Sequence, residues 1–208
     1  MEPVIIAHWN TERSHNLKDI LCVNGKVKER PYSIRLVGVE GDALEFAFKM
    51  DESNDVTLTK YVNLDRIEKE TDEEALVRLA HAASQKQGKT YDKLDRVLYP
   101  CTVADFAVIA LVLLPIFSYA YRPFLHVLFP SWLPLIGRLG NFLDNDKILL
   151  AVIILEFAIH IAEVVFVLWP LLYHYRITES PDLLTEFLFY GILEGYGPIR
   201  RMKELKLE

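Results

Sequence analysis

The chain has little cysteine. Its two residues, Cys22 and Cys101, cannot build a disulfide framework. Reduced thiols in or facing the cytosol are the simple expectation. A basic excess is also missing. The net charge of −6 at pH 7 argues against a nucleic-acid partner, which needs a basic footprint. The opening MEPVIIAHWN has neither a basic n-region nor a long apolar stretch, so no cleaved signal peptide is expected. Internal repeats and low-complexity tracts are absent. So are a nucleophile motif, a phosphate loop and a zinc signature, and the sequence leans away from an enzyme.

What is present is unevenly distributed. Of 208 residues, 51% are hydrophobic and 25% charged. Residues 1–99 are polar and mixed, whereas residues 101–199 hold most of the long apolar runs. The pattern predicts an α+β soluble head over 1–90, a linker over 91–100, a helical transmembrane domain over 101–200 and a basic tail over 201–208. The head is read as helix, three-stranded antiparallel sheet, helix. The membrane domain is read as an α-helical bundle of about three spans.

In the head, PVIIAHWNTERSHNLKDILCVNG (3–25) reads as one amphipathic helix. Ile5, Trp9, Leu17, Ile20 and Leu21 recur near helical spacing, and Asn24-Gly25 is a stop. YSIRLVGVEGDALEFAFKM reads as a hairpin turning at Gly41-Asp42, with Gly38 marking a bulge. DVTLTKYVNL supplies a third strand. Thr71 and Glu74 form a capping box at the start of a closing helix striped by Leu76, Leu79, Ala80 and Ala83.

HWNTERSHNL resembles the HMNxDHxxxL opening of the small α/β domain of HugZ-type haem-utilisation proteins. Similar modules occur in relatives of the pyridoxamine-phosphate-oxidase-like split barrels. The resemblance covers most of residues 3–86. His8 and Asn10 match, Glu12 keeps the charge of the family's acid, and Arg13 replaces its second His. The resemblance implies a module that helps dimerise or bind tetrapyrrole-related partners. On a single helix, His8, Glu12 and His15 would also share a face at i, i+4 and i+7. Two imidazoles and a carboxylate can bind a metal, although a hydrogen-bonded helix face is the plainer expectation.

In the second half, CTVADFAVIALVLLPIFSYAY is long enough to span a hydrocarbon core. Thr102 and Asp105 have capping-box spacing, so Asp105 is expected as an interfacial cap. Pro115 is a candidate kink. RPFLHVLFPSWLPLIGRLGNF is broken by Pro123, Pro130 and Pro134 and reads as interfacial or re-entrant. KILLAVIILEFAIHIAEVVFVLWPLLYHYR is the clearest span. Its seventeen Leu, Ile, Val and Phe residues contribute about −0.3 to −0.6 kcal/mol each near the centre. Two acids and a histidine oppose them. Glu156, His160 and Glu163 fall within an arc of about 60°, the narrow polar stripe of a helix that faces other helices.

SPDLLTEFLFYGILEGYGPIRRMK begins with Ser180 as N-cap and Pro181 at the first helical position. It adds Glu186 and Glu194 as possible partners of the stripe. Gly191 and Gly195 form a small-xxx-small packing pair.

IHIAEVVFVLWPLLYHYRITESPDLLTEFLFYGILEG resembles the transmembrane-protein-254-like family of small membrane proteins. The shared features are IHxxE in one span, a basic-flanked turn with IT, and an LL..FL...F.G span. The resemblance implies three spans and no established chemistry. Lys86, Lys89, Lys93 and Arg96 argue for a cytosolic head; Arg200, Arg201, Lys203 and Lys206 argue for a cytosolic tail. Three full spans cannot satisfy both. Either the Pro-rich segment also crosses, or the last helix lies in the interface, or one cluster is on the far side. The head is assigned to the cytosol.

The expected function is a non-enzymatic scaffold or interaction protein of an internal membrane, the endoplasmic reticulum. Its partners would be the lipid bilayer and a membrane or cytosolic protein, with a homo-oligomer as an option. One alternative is a metal or haem site on Glu156, His160 and Glu163. Another is a proton relay or transport role in an oligomer. No cofactor is the first expectation, and iron or haem the second.

Overall fold

The computed structural model describes residues 1–53, 55–130, 132 and 134–205. The chain divides into two compact units, Met1–Lys93 and Leu94–Glu208.

The first unit holds helices α1 (Pro3–Thr11), α2 (Ser14–Val23) and α3 (Asp72–Lys86). Its strands are β1 (Ser33–Glu40), β2 (Ala43–Lys49) and β3 (Leu58–Asn63). They form an antiparallel sheet in the order β1-β2-β3. Leu36 pairs with Phe46, but the next partner of Glu45 is Gly38, so Val37 is the extra residue of a bulge. Gly41 turns the hairpin with φ of 61°. Alternation puts Leu44, Phe46 and Phe48 on the covered face, where they meet Trp9, Leu17, Ile20, Leu21, Leu76 and Leu79. The Thr71/Glu74 capping box starts α3.

The single N-terminal helix expected over 3–25 is two helices. Thr11 Oγ1 bonds back to the carbonyls of Ala7 and His8, at 3.0 and 3.1 Å. Arg13 leaves helical geometry with φ of −113° and ψ of 18°. Its guanidinium pairs with Asp92 and lies over the Tyr91 ring. The local hydroxyl–backbone bonds and this long-range anchor outweigh continued helix pairing.

The second unit holds α4 (Val103–Ala120), α5 (Arg122–Leu128), α6 (Pro134–Leu143) and α7 (Asp146–Glu163). A π-helical turn, Val164–Leu168, carries α7 into α8 (Trp169–His174). A 3-10 turn at Ile177–Glu179 leads to α9 (Pro181–Glu194) and α10 (Tyr196–Glu204). The Thr102/Asp105 capping box starts α4, which continues through Pro115 to Ala120. The Pro-rich segment forms the short helices α5 and α6. Gly140 of α6 lies against Phe129, where a Cβ would come within 2.6 Å of the Phe129 Cβ.

Among the described residues, two helices are long and apolar enough to cross a membrane, Val103–Ala120 and Asp146–His174. Both are mostly exposed along their apolar length. The α9 segment, expected as a third span, has 14 residues. At 1.5 Å per residue it is about 21 Å long, short of a hydrocarbon core of about 30 Å.

The boundary between the units falls inside the stretch read as linker. Tyr91 and Asp92 are held by Arg13 and His15 of the head, while Leu94 is buried among Leu168, Leu172 and Tyr175. The stretch read as a basic tail is also engaged. Arg201 and Met202 are buried in α10, and Lys206 lies outside the described residues.

Candidate functional site

The head motif is structural in its centre. The Asn10 amide donates from Nδ2 to the Leu36 carbonyl at 2.9 Å, and its Oδ1 accepts from the Leu36 N–H at 2.7 Å. One side chain thus satisfies both backbone groups of a strand residue beside the bulge, as a neighbouring strand would. His8 Nδ1 lies 3.5 Å from Glu12 Oε2 on an exposed surface. His15 stands on the next helix, with Nε2 3.3 Å from the Tyr91 carbonyl. The break at Glu12–Arg13 therefore removes the shared helical face, and His8, Glu12 and His15 do not assemble. Among the described residues, no group of three His, Cys, Asp or Glu side chains is placed to hold a metal.

In the second unit, α9 packs against α7 and the π-helical turn. Gly191 makes this possible. A Cβ there would lie 2.6 Å from Leu168 Cδ2 and 2.8 Å from Val164 Cγ2. One turn later Gly195 has φ of 61°, and a Cβ on it would meet Glu163 Oε2 at 2.5 Å and His160 Nε2 at 2.9 Å. The two glycines face the same neighbour and let the backbones approach.

His160 Nδ1 lies 2.7 Å from the Ile192 carbonyl. A carbonyl only accepts, so Nδ1 is the donor in this bond, and Nε2 points toward the Gly195 turn beside Glu163. Glu156 stands one turn below, and its Oε2 is buried without a hydrogen-bond partner among the described residues.

The two proposed partners behave differently. Glu186 accepts from the Tyr99 hydroxyl at 2.9 Å and stays apart from the stripe. Glu194 is 2% exposed and takes a two-pronged bond from Arg201, at 2.7 Å to Nη1 and 3.2 Å to Nη2. Arg201 Nη1 also lies 3.3 Å from Asp105, and its Nε donates to the Leu98 carbonyl at 2.8 Å. Asp105 takes a further contact from Arg200 and accepts from Thr102 N at 2.9 Å and Cys101 N at 3.1 Å. Two arginines and two carboxylates therefore balance one another. They tie the start of α4 to the turn between α9 and α10. The sequence reading missed this network. Its one local signal was an acid seven residues before an arginine across a Gly-x-Gly turn, Glu194 to Arg201.

All of these groups except Leu98, Tyr99 and Cys101 fall within residues 102–208, which match the family described as the YDR476C-like C-terminal domain. The chain belongs to that family. "Uncharacterized protein YDR476C" of Saccharomyces cerevisiae is 36% identical over 128 residues, covering 60% of this chain and 55% of that protein. The match thus spans little more than half the length of that relative. No solved structure matches the chain. The match over residues 102–208 is not to the transmembrane-protein-254-like family expected there, and neither match supports the HugZ-type expectation for residues 3–86.

Proposed function

We propose that the protein is an integral membrane scaffold of the endoplasmic reticulum, with a cytosolic head that engages a protein partner. The observation that carries the membrane assignment is outward apolar exposure. Val103, Phe106, Leu111 and Phe117 on α4 are exposed, as are Ile154, Leu155, Ile159 and Phe166 on the long helix. A core helix of a soluble protein would bury such a face. Exposure to water would forfeit about 25 cal/mol for each Å² of apolar surface. A bilayer removes that cost. Trp169 and Tyr173, also exposed near one end of the long helix, suit a membrane interface.

The scaffold part rests on the engaged state of the polar groups. Asp105, Glu194 and Arg201 are spent on one another, and Asn10 is spent on the sheet. Alkaline carbonate extraction tests the first part, with retention in the pellet expected. Crosslinking in intact membranes tests the second. A discrete adduct that disappears on removal of residues 1–90 is expected. The same adduct from both chains would overturn a head-mediated scaffold.

A second reading, proton relay in an oligomer, is favoured by Glu156, whose buried Oε2 has no hydrogen-bond partner among the described residues, one turn from His160. It requires a proton flux in proteoliposomes that is abolished by Glu163→Gln.

A further inference from the structure

Three segments far apart in sequence meet at one end of the second unit. The Leu94 N–H, ahead of α4, donates to the Tyr175 carbonyl at 3.2 Å, just after α8. The Tyr175 hydroxyl donates to the Met202 carbonyl of α10 at 3.4 Å. Leu94, Tyr175, Ile199 and Met202 share one apolar cluster.

This triple meeting fixes a parity. A chain that starts at Leu94 and is back beside it at Tyr175 has crossed a bilayer an even number of times. The two spanning helices supply that pair of crossings. The same argument applies between Tyr175 and Met202. The short α9 leaves this end, turns at Gly195, and α10 returns. The buried pairing of Glu194 and Arg201 with Asp105, the cap of α4, holds the turn at the level where α4 begins. Two charged pairs at that level are costly in hydrocarbon and ordinary at its edge.

We infer that α4 and the α7–α8 helix are the only crossings among the described residues, and that α9 and α10 form a hairpin returning to the cytosolic face from which α4 enters. This rests on the membrane reading above. It also removes the conflict between the two basic clusters, because Lys93, Arg96, Arg200, Arg201 and Lys203 then all flank the same face.

The position of the polar stripe follows. Asp146 starts α7 at the far side, where Arg122 pairs with it and donates to the Asp144 carbonyl at 3.2 Å. Counting 1.5 Å per residue from there, Glu156 is about 15 Å deep and Glu163 about 26 Å away. Only Glu156 lies near the middle of a core of about 30 Å. His160 and Glu163 belong to the cytosolic edge, beside Gly195 and the Asp105–Arg201–Glu194 network. They are placed for exchange with cytosolic water or headgroups rather than for a site sealed in lipid.

Single-cysteine labelling tests this on the full chain in sealed vesicles with the cytosolic face outward. The probe is a membrane-impermeant maleimide, in a Cys22→Ser background. The native Cys101 is one position; Lys203→Cys and Asp144→Cys, each with Cys101→Ser, are the others. Cys101 and the residue 203 thiol should label in intact vesicles, and the residue 144 thiol only after detergent. Labelling of residue 203 only after detergent, with Cys101 open, would show that α9 crosses and would overturn the hairpin. Protection of Cys101 with residue 144 open would overturn the cytosolic assignment. Carbonate extraction of the same vesicles separates the two readings. A chain retained in the pellet with residue 203 protected defeats this inference alone, whereas a chain released into the supernatant defeats the membrane reading itself.

Discussion

Arg201 grips Glu194 through both terminal nitrogens, at 2.7 and 3.2 Å, across the turn between α9 and α10. Both side chains are buried, at 8% and 2% exposure. Breaking a buried pair from one side leaves an uncompensated charge, which costs about 3–5 kcal/mol. Arg201→Met strands Glu194 and frees the Leu98 carbonyl, while Asp105 keeps Arg200 and its bonds from Thr102 and Cys101. It should lower the Tm of the detergent-purified chain more than Glu194→Gln, which leaves Arg201 paired with Asp105. The double variant should be more stable than Arg201→Met alone. A loss under about 1 kcal/mol for Arg201→Met would place the network in solvent, where such pairs contribute little.

In the head, Arg78 donates to both Glu70 oxygens at 2.9 Å, and the Ile67 N–H adds a third bond at 3.0 Å. These donors, Arg78 first, hold the Glu70 carboxyl down at about 2, from an ordinary value of 4.5. The folded-state value lies below the unfolded one. The stabilisation is therefore fully present above pH 4.5 and is lost as pH falls toward 2. Glu70→Gln should flatten the acid limb of a Tm-against-pH curve between those values and leave the slope near neutrality unchanged. A carboxyl resonance of Glu70 that titrates at its ordinary value would defeat the assignment.

What was legible in the sequence was local. Thr71 with Glu74 and Thr102 with Asp105 start their helices as read, because a capping box needs only residues three apart. Gly38 marked the bulge in β1, and the hairpin turned at Gly41. The illegible parts depend on distant partners. The break between α1 and α2 is held by Arg13 on Asp92, 79 residues on. Asp105 was readable as a cap, but its pairing with Arg200 joins residues 95 apart. Periodicity could not distinguish a span from the 14-residue α9, because the reversal at Gly195 follows from its φ of 61° and from the network that holds it. The π-helical turn after Glu163 left no pattern in an unbroken apolar run.

Asn10 does the work of a strand partner for Leu36. Asn10→Ala leaves a backbone donor and acceptor beside the bulge without their partner. An unmade buried bond costs about 1–3 kcal/mol. Asn10→Asp is the sharper comparison. It keeps an acceptor for the Leu36 N–H but sets a carboxylate oxygen against the Leu36 carbonyl, so it should be no better than alanine at neutral pH. Amide hydrogen exchange at Leu36 reads this directly, with faster exchange in Asn10→Ala than in the parent chain. Unchanged protection would mean that another group takes over the N–H.

Gly191 and Gly195 should respond differently to alanine, because crowding alone limits the first while crowding and backbone strain act together at the second. At Gly191 a Cβ meets the methyl ends of Leu168 and Val164, and φ is not in the left-handed region. That is overpacking, with a cost of about 1–3 kcal/mol. Trimming the neighbour in Gly191→Ala/Val164→Ala should recover part of it. At Gly195 the Cβ meets Glu163 Oε2, and φ is also positive. A carboxylate can swing away, but the crowding against the His160 ring, 2.9 Å from the Cβ, and the backbone strain of about 1–3 kcal/mol both remain. Gly195→Ala should therefore lower the Tm, and adding Glu163→Ala should recover little. Full recovery in that double variant would show that contact with Glu163, rather than the turn conformation, demands glycine. The turn would then owe its shape to the Arg201 network alone.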